Sequence, residues 1–149
     1  MQEQVGFKTD RCRADYFNCC ESLRFIIDHF ISLSNGLGVC PVITRISEPF
    51  DGEVSQTHMD GRACDFRNEI GVGGIHLYTP EQIYSIMTDM NKRFPRDDMK
   101  LTCIHHAANT RYGRGPMHYH VQLLAKYKND YALFCKEYGV SPKDTTKDA

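Results

Sequence analysis

The chain has 149 residues, 41% apolar and 25% charged, with 18 Lys and Arg set against 19 Asp and Glu for a net charge of −1. That length makes one ordinary domain, able to bury roughly 70% of its unfolded surface, and the composition excludes a disordered, collagen-like or coiled-coil chain. Balanced charge leaves no global basic field, and no apolar run nears the ~18–20 residues that cross a bilayer, so neither a nucleic-acid partner nor membrane insertion is expected.

The first residues, Met1-Gln2-Glu3-Gln4-Val5-Gly6, lack the basic and apolar segments of a secretory signal. Seven cysteines, at 12, 19, 20, 40, 64, 103 and 135, form no Cys-x-x-Cys. Most sit in apolar patterns, where a free thiol behaves as a small hydrophobe. Synthesis in a reducing cytoplasm is the expectation.

Apolar residues at Tyr16, Cys19, Cys20, Leu23, Ile26, Ile27, Phe30 and Ile31 recur at steps of three and four. This predicts one amphipathic helix, stopped by Ser34-Asn35-Gly36. Residues 39–46 predict a strand, which Pro41 places at a strand start or a sheet edge. Residues 47–57 predict a loop and residues 63–67 a short strand. Residues 68–78 predict a second loop. Its Gly71-Val72-Gly73-Gly74 is followed by no Gly-Lys-Ser/Thr, so a flexible turn is expected rather than a phosphate loop.

Thr79-Pro80-Glu81-Gln82 is a helix start, with Thr as N-cap, Pro at N1 and Gln at N3. Ile83, Ile86, Met87 and Met90 give that helix an apolar face, and Phe94-Pro95 ends it. Residues 99–106 and 118–124 predict strands joined by a polar loop. Tyr131, Phe134, Cys135 and Tyr138 predict a terminal helix closed by Gly139, followed by a polar tail. No repeat or linker interrupts the chain. The expectation is a single α+β domain over 1–149, with 1–12 and 141–149 peripheral.

Two places carry chemistry. In the first, His58 and Asp65 lie seven residues apart. A regular helix would separate them by about 10 Å and a straight strand by more, so sharing one ion requires a bend. Gly61 is the residue able to supply it. In the second, His118, His120 and Gln122 alternate with Tyr119, Val121 and Leu123. On a strand the apolar set faces a core and the histidines face a cleft. Two His and one carboxylate make a catalytic zinc set with a fourth position open, which lowers the pKa of water and polarises a carbonyl. Of His105 and His106, at most one faces the cleft. His29 and His76 are expected to be structural or solvated.

Together, Ser55, His58, Gly61, Ala63 and Asp65 followed by His118-Tyr119-His120 resemble the zinc metallopeptidases of peptidoglycan. These include the D-Ala-D-Ala dipeptidases and carboxypeptidases, the phage L-alanyl-D-glutamate endopeptidases and the lytic murein endopeptidases, which share the fold of the hedgehog signalling domain. The resemblance spans residues 42–123. It implies a hedgehog/DD-peptidase-like fold, Zn2+ held by His58, Asp65 and His120, and His118 as the second catalytic group. It also implies that Ser55 braces the turn presenting His58 and that Arg45 steadies substrate or oxyanion. Many members carry an acidic base where this chain has Met117; the chain resembles the His-x-His branch instead. Arg62, Arg111, Tyr112 and Gln122 are expected to face substrate, with Arg67 and Arg114 nearby, since Arg recognises carboxylates in bidentate fashion. The implied partner is a peptidoglycan stem peptide, cut by a monomeric, endolysin-like enzyme. The alternatives are a zinc-binding module without turnover and a virion structural protein of the same fold.

Overall fold

The computed structural model describes residues 4–48, 56–107 and 116–141. Along the chain run β1 (Gly6–Phe7), α1 (Asp10–Asn18), α2 (Glu21–Gly36), β2 (Val42–Arg45), α3 (Gln56–Met59), β3 (Ala63–Arg67), β4 (Glu69–Ile70) and β5 (Ile75–His76). They are followed by α4 (Pro80–Arg93), β6 (Cys103–His106), β7 (His118–Gln122), a 3-10 turn (Ala125–Tyr127) and α5 (Tyr131–Tyr138). The architecture is α+β. Five strands form one sheet in the order β1-β2-β3-β7-β6, antiparallel except for the β1–β2 pair, and β4 and β5 form a separate hairpin.

The helix expected from Tyr16 to Ile31 is two helices. α1 stops at Asn18 and α2 starts at Glu21, with Cys19 and Cys20 in extended backbone at ψ 164° and 154°. Periodicity records burial rather than backbone continuity, and both cysteines pack against the core across the break. The corner is clamped by Tyr16, whose hydroxyl donates to Asp28 at 2.5 Å while the Arg24 guanidinium lies 3.8 Å over its ring. α1 has its own start signal in Thr9, whose side chain accepts from the Cys12 amide.

Three further expectations shift. Within the N-terminal segment expected to be peripheral, Gly6–Phe7 pairs with β2, and Cys12 is buried. Part of the loop predicted over 47–57 is the single turn α3. The segment 68–78 contains the β4–β5 hairpin, whose turn needs its glycines: Gly71 and Gly73 have φ of +74° and +78°, and a Cβ at Gly74 would sit 1.9 Å from the Ile70 carbonyl oxygen. α4 forms as expected, with a complete capping box between Thr79 and Gln82. Asp130 caps α5, and Gly139 closes it in the left-handed region.

One sheet face is the core face. Phe30 of α2 stacks on Phe66 of β3 at 3.9 Å and meets Tyr119 of β7 edge-on at 5.0 Å. Cys64, Phe66, Cys103, Tyr119 and Val121 are all fully buried there. Aromatic contacts at Phe25, Phe94 and Phe134 tie α2 and α5 together at one end. Asn91 of α4 covers the outer edge of β6, giving and taking a hydrogen bond with the Cys103 backbone. The sheet's other face carries His106, His118 and His120.

Candidate metal centre

Residues directly opposite each other on paired strands point to the same face. β3 and β7 are in the register Asp65↔His120, Ala63↔Gln122 and Arg67↔His118. With Cys64 and Phe66 committed to the core, Asp65 must face away from it, and His120 faces away beside it. His58 arrives from α3 through a tight reversal. The Gly61 amide donates to the His58 carbonyl at 3.0 Å and the Arg62 amide to Thr57 at 2.7 Å, while Gly61 takes φ +69°. Ala63, fully buried, keeps the returning strand slim.

The result is a close convergence. His58 Nε2 and His120 Nδ1 lie 3.1 and 3.0 Å from the same oxygen, Asp65 Oδ1. All three residues are buried, at 1%, 9% and 6% exposure for His58, His120 and Asp65. Their ligand atoms lie within 4.8 Å of one another, so the group could hold a metal ion.

Hydrogen bonding decides which ring nitrogens are available. His58 Nδ1 lies 2.6 Å from the Ile46 carbonyl oxygen, which can only accept, so Nδ1 carries a proton. His120 Nε2 lies 3.1 Å from Gln122 Oε1. With one proton per ring, these contacts place it away from Asp65 and turn a lone pair toward the carboxylate. Two nitrogen lone pairs and a carboxylate oxygen at ~3 Å repel unless a cation or added protons sit among them. A divalent ion satisfies all three. Burial by itself would raise the Asp65 pKa. With both rings protonated and no ion among them, hydrogen bonds from His120 and His58 outweigh it and hold the carboxyl well below the usual range.

Around this set, His118 Nε2 lies 4.0 Å from Asp65 Oδ2, with its Nδ1 2.9 Å from the Pro116 carbonyl. Arg45 Nε approaches Asp65 Oδ2 at 3.5 Å. Simple alternation would put Arg45 on the core face with Ile43. A β-bulge between them brings it opposite Asp65 instead. Of the paired histidines on β6, His106 stands opposite His118, their rings 5.2 Å apart. His105 stands opposite Tyr119 and accepts from Asn68 Nδ2 at 3.0 Å. Burial, then the charges of His118 and His106, bring the His105 pKa down to about 4.

Two residues expected to face substrate are engaged in the fold. Arg62 donates to Asp60 and to the Leu123 carbonyl, both at 2.6 Å, bracing the turn against the end of β7. Gln122 is buried, with its amide nitrogen on the Leu101 carbonyl and its oxygen on His120. Ser55, Arg111, Tyr112 and Arg114 lie outside the described residues. His29 meets the Phe94 ring at 5.4 Å, and His76 pairs with Glu69 at 3.3 Å. Sequence reasoning missed the Ile46 carbonyl, because a backbone acceptor carries no side-chain signature. The choice of His106 over His105 was within reach: His105 alternates with Cys103, a core-type residue.

Compared with family models, curated proteins and solved structures, the chain matches none.

Proposed function

We propose that this chain is a zinc-dependent peptidase that hydrolyses an amide bond in peptidoglycan stem peptides or cross-links. The observation that carries the proposal is the buried convergence of His58, Asp65 and His120 with a second imidazole, His118, 4.0 Å from the carboxylate. Two imidazole nitrogens and one carboxylate oxygen suit Zn2+ and leave a coordination position for water or substrate. When bound, zinc polarises a carbonyl and activates water. The peptidoglycan assignment rests on the motif resemblance, which also assigns the α+β fold to the hedgehog/DD-peptidase type; the protein acts on the cell wall after phage-mediated release or in the virion.

His118 supplies the proton handling. Its Nδ1 donates to the Pro116 carbonyl, so in the neutral ring Nε2 bears the lone pair and is aimed at the centre. It takes the proton from the attacking water and returns it to the leaving amine. This removes the need for an acid at Met117. Arg45 holds the outer oxygen of Asp65 and adds a permanent positive charge beside the carbonyl oxygen that becomes negative.

The test is mass spectrometry of purified peptidoglycan and muropeptides incubated with the zinc-loaded protein, beside a chelated control. A chelator-sensitive product is expected, and its mass names the bond. No product from several wall types, with zinc bound, would overturn the hydrolase assignment in favour of a zinc-binding or structural module.

A further inference from the structure

We infer that Gln122 is a positioning residue of the metal centre, fixing the tautomer in which His120 offers Nδ1 rather than Nε2 to the ion. The inference rests on the metal-binding proposal above and assigns a role to a residue outside the ligand set.

A glutamine amide has one donating and one accepting end. The donating end is committed, because Gln122 Nε2 lies 2.8 Å from the Leu101 carbonyl oxygen, which can only accept. That turns Oε1 toward His120 Nε2 at 3.1 Å. Since Oε1 can only accept, the ring proton sits on Nε2 and the lone pair on Nδ1. Nδ1 is the nitrogen that reaches Asp65 Oδ1 at 3.0 Å. Flipping the amide would set two carbonyl oxygens against each other at the Leu101 contact, so the orientation is held from both ends. Gln122 is 8% exposed, which leaves little access for water to replace it. The Ile46 carbonyl does the same for His58, with the opposite tautomer. That half is backbone, so Gln122 is the half that substitution can reach.

The experiment titrates the full chain with Zn2+ against a chromophoric chelator for the wild type, Gln122→Leu and Gln122→Glu. It is joined to nitrogen-15 NMR of the imidazoles in the zinc-loaded wild type. Outer-shell partners of ligating histidines are worth about 10–100-fold in metal affinity. Gln122→Leu is expected to lose that much, and Gln122→Glu, which keeps the accepting oxygen at His120 but sets an oxygen against the Leu101 carbonyl, to fall between Gln122→Leu and wild type. The wild-type spectrum is expected to show His120 protonated at Nε2. Unchanged affinity in a folded Gln122→Leu protein overturns the inference, as does a proton on His120 Nδ1 in the zinc-loaded wild type. A wild type that binds no zinc overturns the metal proposal as well, which separates the two failures. If Gln122→Leu does not fold, the wild-type spectrum and the glutamate variant still decide.

Discussion

At the scale of single residues, His118 and His120 look alike in sequence and differ in what holds their second nitrogen. His120 is held by a side-chain amide and turned onto Asp65; His118 is held by the Pro116 carbonyl and keeps a free lone pair. His118→Ala is therefore expected to lower the rate about 10²–10⁴-fold, with zinc still bound stoichiometrically. Kinetics on a defined muropeptide with parallel metal analysis checks this, and loss of metal together with activity would place His118 among the ligands. His105 gives a pH prediction. Its folded pKa, about 4, lies below the ordinary 6.5, so between these values the unfolded chain binds more protons than the folded one. Stability should fall as pH drops from about 6.5 toward 4, and His105→Gln should flatten part of that slope. Denaturant melts across this window read it directly; an unchanged slope would count against a half-buried neutral His105.

At the scale of elements, the turn from α3 into β3 closes the gap between His58 and Asp65. Gly61 holds φ +69°, where a Cβ costs ~1–2 kcal/mol although the space beside it is open. Gly61→Ala is expected to destabilise by that amount and to weaken zinc binding by moving His58. Thermal melts and zinc titration should move together; a melt shift with unchanged zinc affinity would show that the turn does not set the ligand geometry. The need for a bend here was legible from the seven-residue spacing and the single glycine. The bulge that turns Arg45 toward Asp65 was not, because nothing in Ile43-Thr44-Arg45 marks an extra residue, and the irregularity exists only relative to β3. The break at Cys19-Cys20 was hidden for a related reason: both residues remain against the core, so the apolar period runs through it.

At the scale of the whole molecule, the ion would join the adjacent α3 and β3 to β7, with His120 55 residues beyond Asp65, on the sheet face opposite the core. Zinc at a hundred times its Kd should add about 2.7 kcal/mol to the folded state, or roughly 5–10 °C in Tm for a domain of this size. Scanning calorimetry with zinc and with a chelator measures it. An identical Tm would mean that the centre binds metal too weakly to matter for the fold.

The sequence by itself determined the alternation of β7, the start and end of α4 and the closure of α5, because these depend on local period and capping chemistry; the choice of His58, Asp65 and His120 came from the motif resemblance. Tertiary structure alone decided which atoms of that set are available. The tautomers of His58, His118 and His120 depend on the Ile46 carbonyl, the Pro116 carbonyl and the Gln122 amide, and two of those three are backbone oxygens whose direction is set by the fold. It also decided which hydrogen bonds Arg62 and Gln122 make, since a side chain's partner across the sheet is a matter of register, and register belongs to the assembled strands.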